Sequence, residues 1–344
     1  MSKRKPTDDI IDIGPETKKK RISHQKLKIE MTPPVNNIKD LIEIGKTLKF
    51  YKNIDVIILW QILPYLEQLD SMIGMKSLKE TVFYQIIYYL QNMHKRNKNE
   101  EYLHTVITGK PGSGKTSISK IIGKIYTNLG ILSKKDNTFT IGYRDDFVAE
   151  YVGQTAIKTR KFLESCLGGV LFIDEVYSMG PGKKDKDSFS KEAIDTICSF
   201  LSEHKNDFCC IIAGYKDDIK NCFFSVNQGL ERRFPWRHNI EEYTTTDLCE
   251  IFKKMITEIK WNLHEEIDNS YLIIFFEDNK NLFEYTGGSI ETFISKLKMS
   301  HSKRVFCLEK EVKFILTRED IKNGLEMTKN HSEIVQKRTY DYYI

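Results

Sequence analysis

The spacing of apolar side chains divides the chain into stretches of different period. From about 38 to 70, in "KDLIEIGKTLKFYKNIDVIILWQILPYLEQLD", apolar residues recur every three or four positions, which predicts helical segments with one apolar face. In "MIGMKSLKETVFYQIIYYLQNM" the residues Val82, Ile86 and Leu90 form one stripe beside Phe83 and Ile87, the pattern of a helix packed on a sheet. Between 103 and 240, short and nearly continuous apolar runs alternate with helical stretches: "LHTVIT", "TFTIG", "GVLFID", "FCCIIAG", then "RHNIEEY". Strands apolar on both faces need cover on both faces, so the alternation predicts an α/β fold with a parallel five-stranded sheet flanked by helices. From about 243 to 330 only helical periods remain, in "TTTDLCEIFKKMITEIKWNL", "GGSIETFISKLKMSHSKRVF" and "TREDIKNGLEMTKNH", which predicts a small all-α domain. The first residues hold Lys, Pro, Asp and Thr but few large apolar groups, so burial cannot offset their ordering entropy. The expected divisions are a disordered basic tail over 1–37, a helical segment over 38–70, an α/β domain over 71–242, a helical domain over 243–330 and a C-terminal tail over 331–344.

Charge changes this picture only at the front of the chain. Of the net +5, residues 1–30 carry +4, from nine Lys or Arg against five Asp or Glu, so the body is nearly neutral. A neutral body argues against a broad basic face for gripping duplex nucleic acid. Lys3-Arg4-Lys5 and Lys18-Lys19-Lys20-Arg21 are spaced like a two-part nuclear import signal, or are simply a solvated tail. The seven cysteines include adjacent Cys209 and Cys210 but no CxxC pair, which suits reduced thiols inside a cell and no zinc site. No apolar stretch is long enough to span a bilayer and no signal peptide opens the chain. The expected location is the cytoplasm, or the nucleus if the basic clusters direct import.

The chemistry concentrates in three places. "GKPGSGKTS" follows an apolar strand and opens a helix: Gly109, Lys110, Pro111, Gly112, Ser113, Gly114, Lys115, Thr116 and Ser117. The glycines let backbone amides wrap an anion, Lys115 can reach the β and γ oxygens of a nucleotide, and Thr116 can hold Mg²⁺. "GGVLFIDE" ends a second strand with Asp174, placed to order the magnesium shell, and Glu175, placed to take a proton from an attacking water. The stretch nearest a guanine-reading motif, "NKNE", lies before the loop and ends in the wrong residue, so ATP is favoured over GTP. In "NQGLERRFP", Arg233 stands where an arginine could reach a neighbouring subunit's γ-phosphate, with Arg232 as the alternative.

Together these stretches resemble the AAA+ ATPases, and most closely the CbbX/CfxQ group, which includes red-type rubisco activases and sporulation ATPases of the SpoVK kind. The likeness runs from about Ile73 to the mid-320s and is densest in "EYVGQTAIKTRKFLESCLGGVLFIDEVYSM" and "SKEAIDTICSFLSEHKNDFCCIIAGYKDDI". It implies that Ile73 and Gly74 meet the adenine, and that Tyr151, Val152 and Gly153 form a pore loop gripping an extended polypeptide. It implies assembly of the chain with itself into a hexameric ring that remodels or partly threads a protein client, with no membrane partner. Two departures stand out. Tyr215 occupies the place where many AAA+ proteins carry a polar sensor Asn, and contacts the γ-phosphate through water or merely packs. Glu291 lies near the place of a sensor arginine, leaving Gly287 and Gly288 to meet the nucleotide through backbone. Two other readings stay open: a nucleic-acid-directed ATPase of the helicase-loader or clamp-loader type, and a nucleotide-gated scaffold with little turnover. The Lys, Ile and Asn bias suits a eukaryotic parasite or a large DNA virus.

Overall fold

The computed structural model describes residues 30–47, 49–96, 102–134, 138–151, 153–180, 188–284, 286–309 and 312–341. The N-terminal basic clusters, "NKNE" and Val152 lie outside the described residues. The chain forms two compact units: residues up to Thr108 with Lys115–Asn239, and Gly109–Gly114 with Ile240–Ile344.

The first unit opens with α1 (Ile38–Lys46) and α2 (Val56–Ser71). Each starts where the pattern and a capping side chain agree. Asn37 Oδ1 accepts from Asp40 N at 3.1 Å, and Asp55 Oδ1 accepts from Ile57 N and Ile58 N. After α3 (Lys76–Leu90) come β1 (Thr105–Thr108), α4 (Lys115–Asn128), β2 (Phe139–Gly142), the short α5 (Arg144–Phe147) and α6 (Thr155–Ser165). These are followed by β3 (Val170–Ile173), α7 (Ser188–Glu203), β4 (Cys209–Gly214), the single turn α8 (Lys216–Asp218) and β5 (Trp236–Asn239).

All five strands run parallel in the order β2-β3-β4-β1-β5. Every residue of β3 and β4 is buried, as both-face cover demands. Cys209 and Cys210 are therefore core residues, and burial pushes both thiols far above their ordinary range. The register aligns Thr108 with Gly214 and Ile173 with Ile212. The carboxyl ends of β1, β3 and β4 thus fall along one edge. The connections leave β1 in one direction to β2 and return past it to β5, and such a reversal is where open α/β sheets bind ligands.

The second unit holds α9 (Thr245–Glu258), α10 (Asn269–Asp278), α11 (Thr286–Arg304) and α12 (Arg318–Asp341). Thr244 and Asp247 form a capping box at the start of α9. Phe252, Phe276, Phe293 and Leu297 lie in its core, fully buried. Besides the helices there is a two-residue parallel pair, β6 (Asn262–Leu263) with β7 (Ile315–Leu316). A buried polar knot fixes the start of α12. Asp320 accepts from Arg304 Nε and Nη2, both at 2.8 Å, from Thr317 N at 2.9 Å, and bonds His301 Nδ1 at 3.0 Å. Burial alone would raise the Asp320 pKa, but these partners outweigh it and hold it at about 2. In this structure α12 continues through 331–341.

Candidate active site

Within the first unit, the strand ends gather the predicted chemistry. Lys115 and Thr116 open α4 immediately beyond the loop that follows β1, and Asp174 and Glu175 follow β3. Thr116 Oγ1 donates to Asp174 Oδ2 at 2.5 Å, joining two residues 58 positions apart. Asp174 Oδ1 accepts from the Glu175 amide at 3.0 Å. Glu175 sits in the left-handed region at φ 47°, a conformation that costs a side chain about 1 kcal/mol or more and must be held by its surroundings. Burial lowers the Lys115 pKa, while Asp174 and Glu175 act to raise it. The Lys115 ammonium lies over the Tyr215 ring, 5.0 Å from its centroid.

The loop Gly109–Gly114 belongs with the second unit. Gly112 and Gly114 take φ of 67° and 86°, which any other residue would adopt only under strain. A Cβ on Gly109 would come within 2.7 Å of Ser113 Oγ. That hydroxyl is buried without a hydrogen-bond partner, so it is available to a ligand oxygen. Tyr243 donates its hydroxyl to Ser113 O at 3.0 Å, and burial, with Asp247 adding, pushes its pKa up to about 12. Lys110 pairs with Glu242 at 2.8 Å on the surface. Gly287 is tight against the same loop, where a Cβ would approach Gly112 O to 2.9 Å, and Gly288 has 3.8 Å to Gly112 Cα. Glu291 is exposed on α11. In the second unit the glycine amides and the Ser113 hydroxyl suit phosphate; in the first, the Thr116 hydroxyl and the Asp174 carboxylate, both hard oxygen ligands, suit Mg²⁺. Among the described residues no cluster of three His, Cys, Asp or Glu forms a separate metal site. No described helix is long and apolar enough to cross a membrane.

Among the described residues no hydrogen bond, ion pair or ring contact given by the structure joins the remaining predicted residues to this cluster. Ile73 and Gly74 form the half-buried turn between α2 and α3, with Gly74 at φ 69°, and share no hydrogen bond with it among the described residues. Tyr151 is 67% exposed before α6, and Gly153 at φ 78° has open space around it. The two arginines separate. Arg233, singled out by sequence position, turns inward: its Nε donates to Ser202 Oγ and its Nη1 to Gly229 O, each at 2.5 Å. A Cβ on Gly229 would meet that guanidinium at 2.9 Å, so the glycine makes room for it. Arg232 is exposed. Sequence reasoning passed over Tyr177 and Tyr243; nothing but their nearness to the Asp174-Glu175 pair and to the fifth strand marked them.

Comparison with known proteins gives a consistent picture. Residues 105–235 match the family described as ATPase family associated with various cellular activities (AAA). A cfxQ-like protein of Acanthamoeba polyphaga mimivirus is 40% identical over 275 residues, which is 78% of this chain and 66% of that protein. The CfxQ homolog of Pyropia yezoensis is 34% identical over 219 residues, covering 64% of this chain and 71% of the relative. The chain thus spans about two thirds of the length of these curated relatives. Among solved structures, the FIGL-1 AAA domain in complex with ADP superposes with a TM-score of 0.54 at 13% identity, covering 79% of this chain and 89% of that one, a likeness of fold.

Proposed function

The chain belongs to the CbbX/CfxQ group of AAA ATPases, and from that membership we propose that it hydrolyses ATP between copies of itself to remodel a protein partner. The observation that carries the reading is the convergence on one sheet edge of Lys115, the Thr116–Asp174 pair and Glu175. Lys115 meets the β and γ phosphates as a point charge. Thr116 Oγ1 and Asp174 Oδ2 are the oxygens that would hold Mg²⁺, which when bound neutralises charge on those phosphates. Glu175, exposed at the strand end, is the base that takes the proton of the attacking water.

Charge building on the γ-phosphate calls for a further cation, and of the two adjacent arginines the exposed Arg232 is the better placed to supply it to a neighbouring copy. Arg233 supports the turn from within. The bound state then requires two subunits, so turnover is expected to rise steeply with protein concentration. Tyr151, a large flat side chain beside an unhindered glycine, suits a loop that grips many sequences of a client polypeptide. The test is Glu175→Gln: ATP binding and assembly are retained while phosphate release collapses by a factor of about 10² or more. Full turnover in that variant refutes the assignment, and a client retained by it in pull-down supports the remodelling role.

A further inference from the structure

The turn between α2 and α3 sits beside the end of α4 that carries Lys115 and Thr116. The two helices pack along each other in opposite directions. A Cβ on Gly130, just past the end of α4, would lie 3.7 Å from Ile58 Cδ1, and Lys124 Nζ lies over the Tyr65 ring, 5.6 Å from its centroid. Seven residues along α2 thus match six along α4, and with the same rise in both helices a further seven bring α2 to Met72, level with about Ser117. In the turn that follows, Gly74 and Met75 both take left-handed φ, 69° and 55°. That conformation is strained for the buried Met75 and must be held by its surroundings. Lys79 does the holding. Its Nζ donates to Asp70 O at 3.1 Å and to Met72 O, both at the end of α2, and its amide donates to Met75 O at 3.0 Å. α2 has no basic residue in its own last turn, so this half-buried ammonium from α3 meets the negative end of the α2 dipole. One residue therefore grips the turn on both sides of Ile73 and Gly74. Those two are half-buried, and among the described residues no hydrogen bond engages their backbone groups.

We propose that Lys79 is a positioning residue for the base-binding side of the nucleotide site: it clamps the turn 72–75 so that Ile73 and Gly74 meet the nucleoside end of an ATP whose phosphates and metal lie at Lys115 and Thr116. A base offers a flat apolar face and, along its edge, hydrogen-bonding groups. An aliphatic side chain beside unengaged amides and carbonyls is the complement of both. Recognition through backbone works only where the backbone is already fixed, since ordering it on binding costs affinity. The Lys79 ammonium is turned to the carbonyls at the end of α2, so it acts through the turn and not by touching the ligand. The inference rests on the reading of Lys115 and Thr116 as nucleotide ligands.

The experiment uses the full chain with magnesium and measures displacement of a fluorescent ATP analogue by ATP and by inorganic tripolyphosphate, which has the phosphates but no base. Wild type is compared with Lys79→Met, Ile73→Ala, the double variant and Lys115→Ala. Lys79→Met keeps the stem and loses the donors. It is expected to weaken ATP about tenfold, equivalent to ~1.4 kcal/mol, while tripolyphosphate changes by less than about twofold. At saturating ATP its kcat should stay within about twofold of wild type, so the loss appears in KM. Ile73→Ala should show the same selectivity, and the double variant should lose no more than the larger single loss, since both act through one turn. A merely structural role would weaken the two ligands alike. Where Lys79→Met does not fold, Lys79→Gln, which keeps one donor, carries the same comparison. The inference is overturned by ATP affinity within about twofold of wild type, by an equal loss for tripolyphosphate, by a loss confined to kcat, or by losses that multiply in the double variant. Lys115→Ala separates the two layers. If it binds ATP and tripolyphosphate as wild type does, the reading of the site itself fails, whereas loss of both there with ATP affinity intact in Lys79→Met overturns only the role of Lys79.

Discussion

Replacing each of the two adjacent arginines by alanine should give opposite outcomes. Arg233→Ala removes a guanidinium that bonds Ser202 Oγ and Gly229 O at 2.5 Å each and leaves both partners half-buried. A hydrogen bond from a charged donor is worth about 1.5–3 kcal/mol, and partial solvation lowers that, so the pair amounts to about 2–4 kcal/mol. For a unit of this size each kcal/mol moves the melting temperature by about 2–4 °C, so Arg233→Ala should melt roughly 5–15 °C lower. Arg232→Ala removes an exposed side chain and should cost within about 0.5 kcal/mol. Its hydrolysis, by contrast, should fall about 10³-fold or more.

Mixing makes the assignment decisive. On the proposed reading Glu175→Gln lacks the base and Arg232→Ala lacks the guanidinium offered to the neighbour, so each should be inactive alone. Co-assembled in equal amounts, roughly a quarter of the seams pair an intact Glu175 with an intact Arg232 from the next subunit in a head-to-tail ring. Phosphate release should therefore reappear in the mixture. A loss of stability alone cannot produce this rescue. If the mixture stays silent, or if Arg233→Ala with Glu175→Gln recovers turnover while Arg232→Ala keeps full activity by itself, the reasoning from side-chain direction is refuted.

Three further outcomes follow from the same geometry. Thr116→Val keeps shape but loses the hydroxyl bonded to Asp174, so the affinity for ATP in a magnesium titration should fall about tenfold while the affinity measured without metal changes little. In the second unit, Asp320→Ala strands buried His301 beside Arg304 and should cost about 3–5 kcal/mol, read in urea by the fluorescence of Trp261, whose ring lies 4.9 Å from that of His301. In the first unit, burial, with Arg233 adding, holds His104 at about 3, and burial holds His238 at about 4, against 6.5 when unfolded. Both pKa values are depressed, so their contribution is fully present above pH 6.5 and lost as pH falls from there towards 4, because the unfolded chain takes up the protons. Each group adds a slope of about 1.4 kcal/mol per pH unit. Denaturation midpoints between pH 6 and 4.5 should show it, and His104→Gln should about halve the slope; an unchanged slope refutes the assignment.

How far the sequence could be read depends on what kind of fact a residue expresses. The strands were legible because burial on both faces leaves no polar position, as in Val170–Ile173 and Cys209–Gly214. The strands are shorter than the apolar runs that announced them, and β5 differs most: it spans Trp236–Asn239, whereas the run "RHNIEEY" reached Tyr243, and its exposed Arg237 and Asn239 give it no continuous apolar pattern. Lys115, Thr116, Asp174 and Glu175 were legible because each is the residue next to a strand or loop end, where position along the chain is position in space. The stack of Tyr177 on Tyr215 was not, since it depends on β3 lying beside β4, a neighbour relation absent from the order of the chain.

The arginines illustrate the limit most sharply. Glu231–Arg233 form a single 3-10 turn, in which successive side chains diverge by roughly 120°. Two adjacent residues of identical chemistry must therefore point to different surroundings. Phe234, fully buried, fixes the phase of the turn, and the space left by Gly229 beside Ser202 decides which guanidinium is taken inside. Residue type reports that a cation is available at this corner, but the direction of each one is a property of packing between the turn and α7. The division between an inward arginine and an outward one is accordingly a consequence of the fold, and it predicts that enlarging Gly229 to alanine should expel Arg233, lower the melting temperature as Arg233→Ala does, and leave the rescue of Glu175→Gln expected from Arg232 in the mixed assembly impaired only as far as the turn itself loosens.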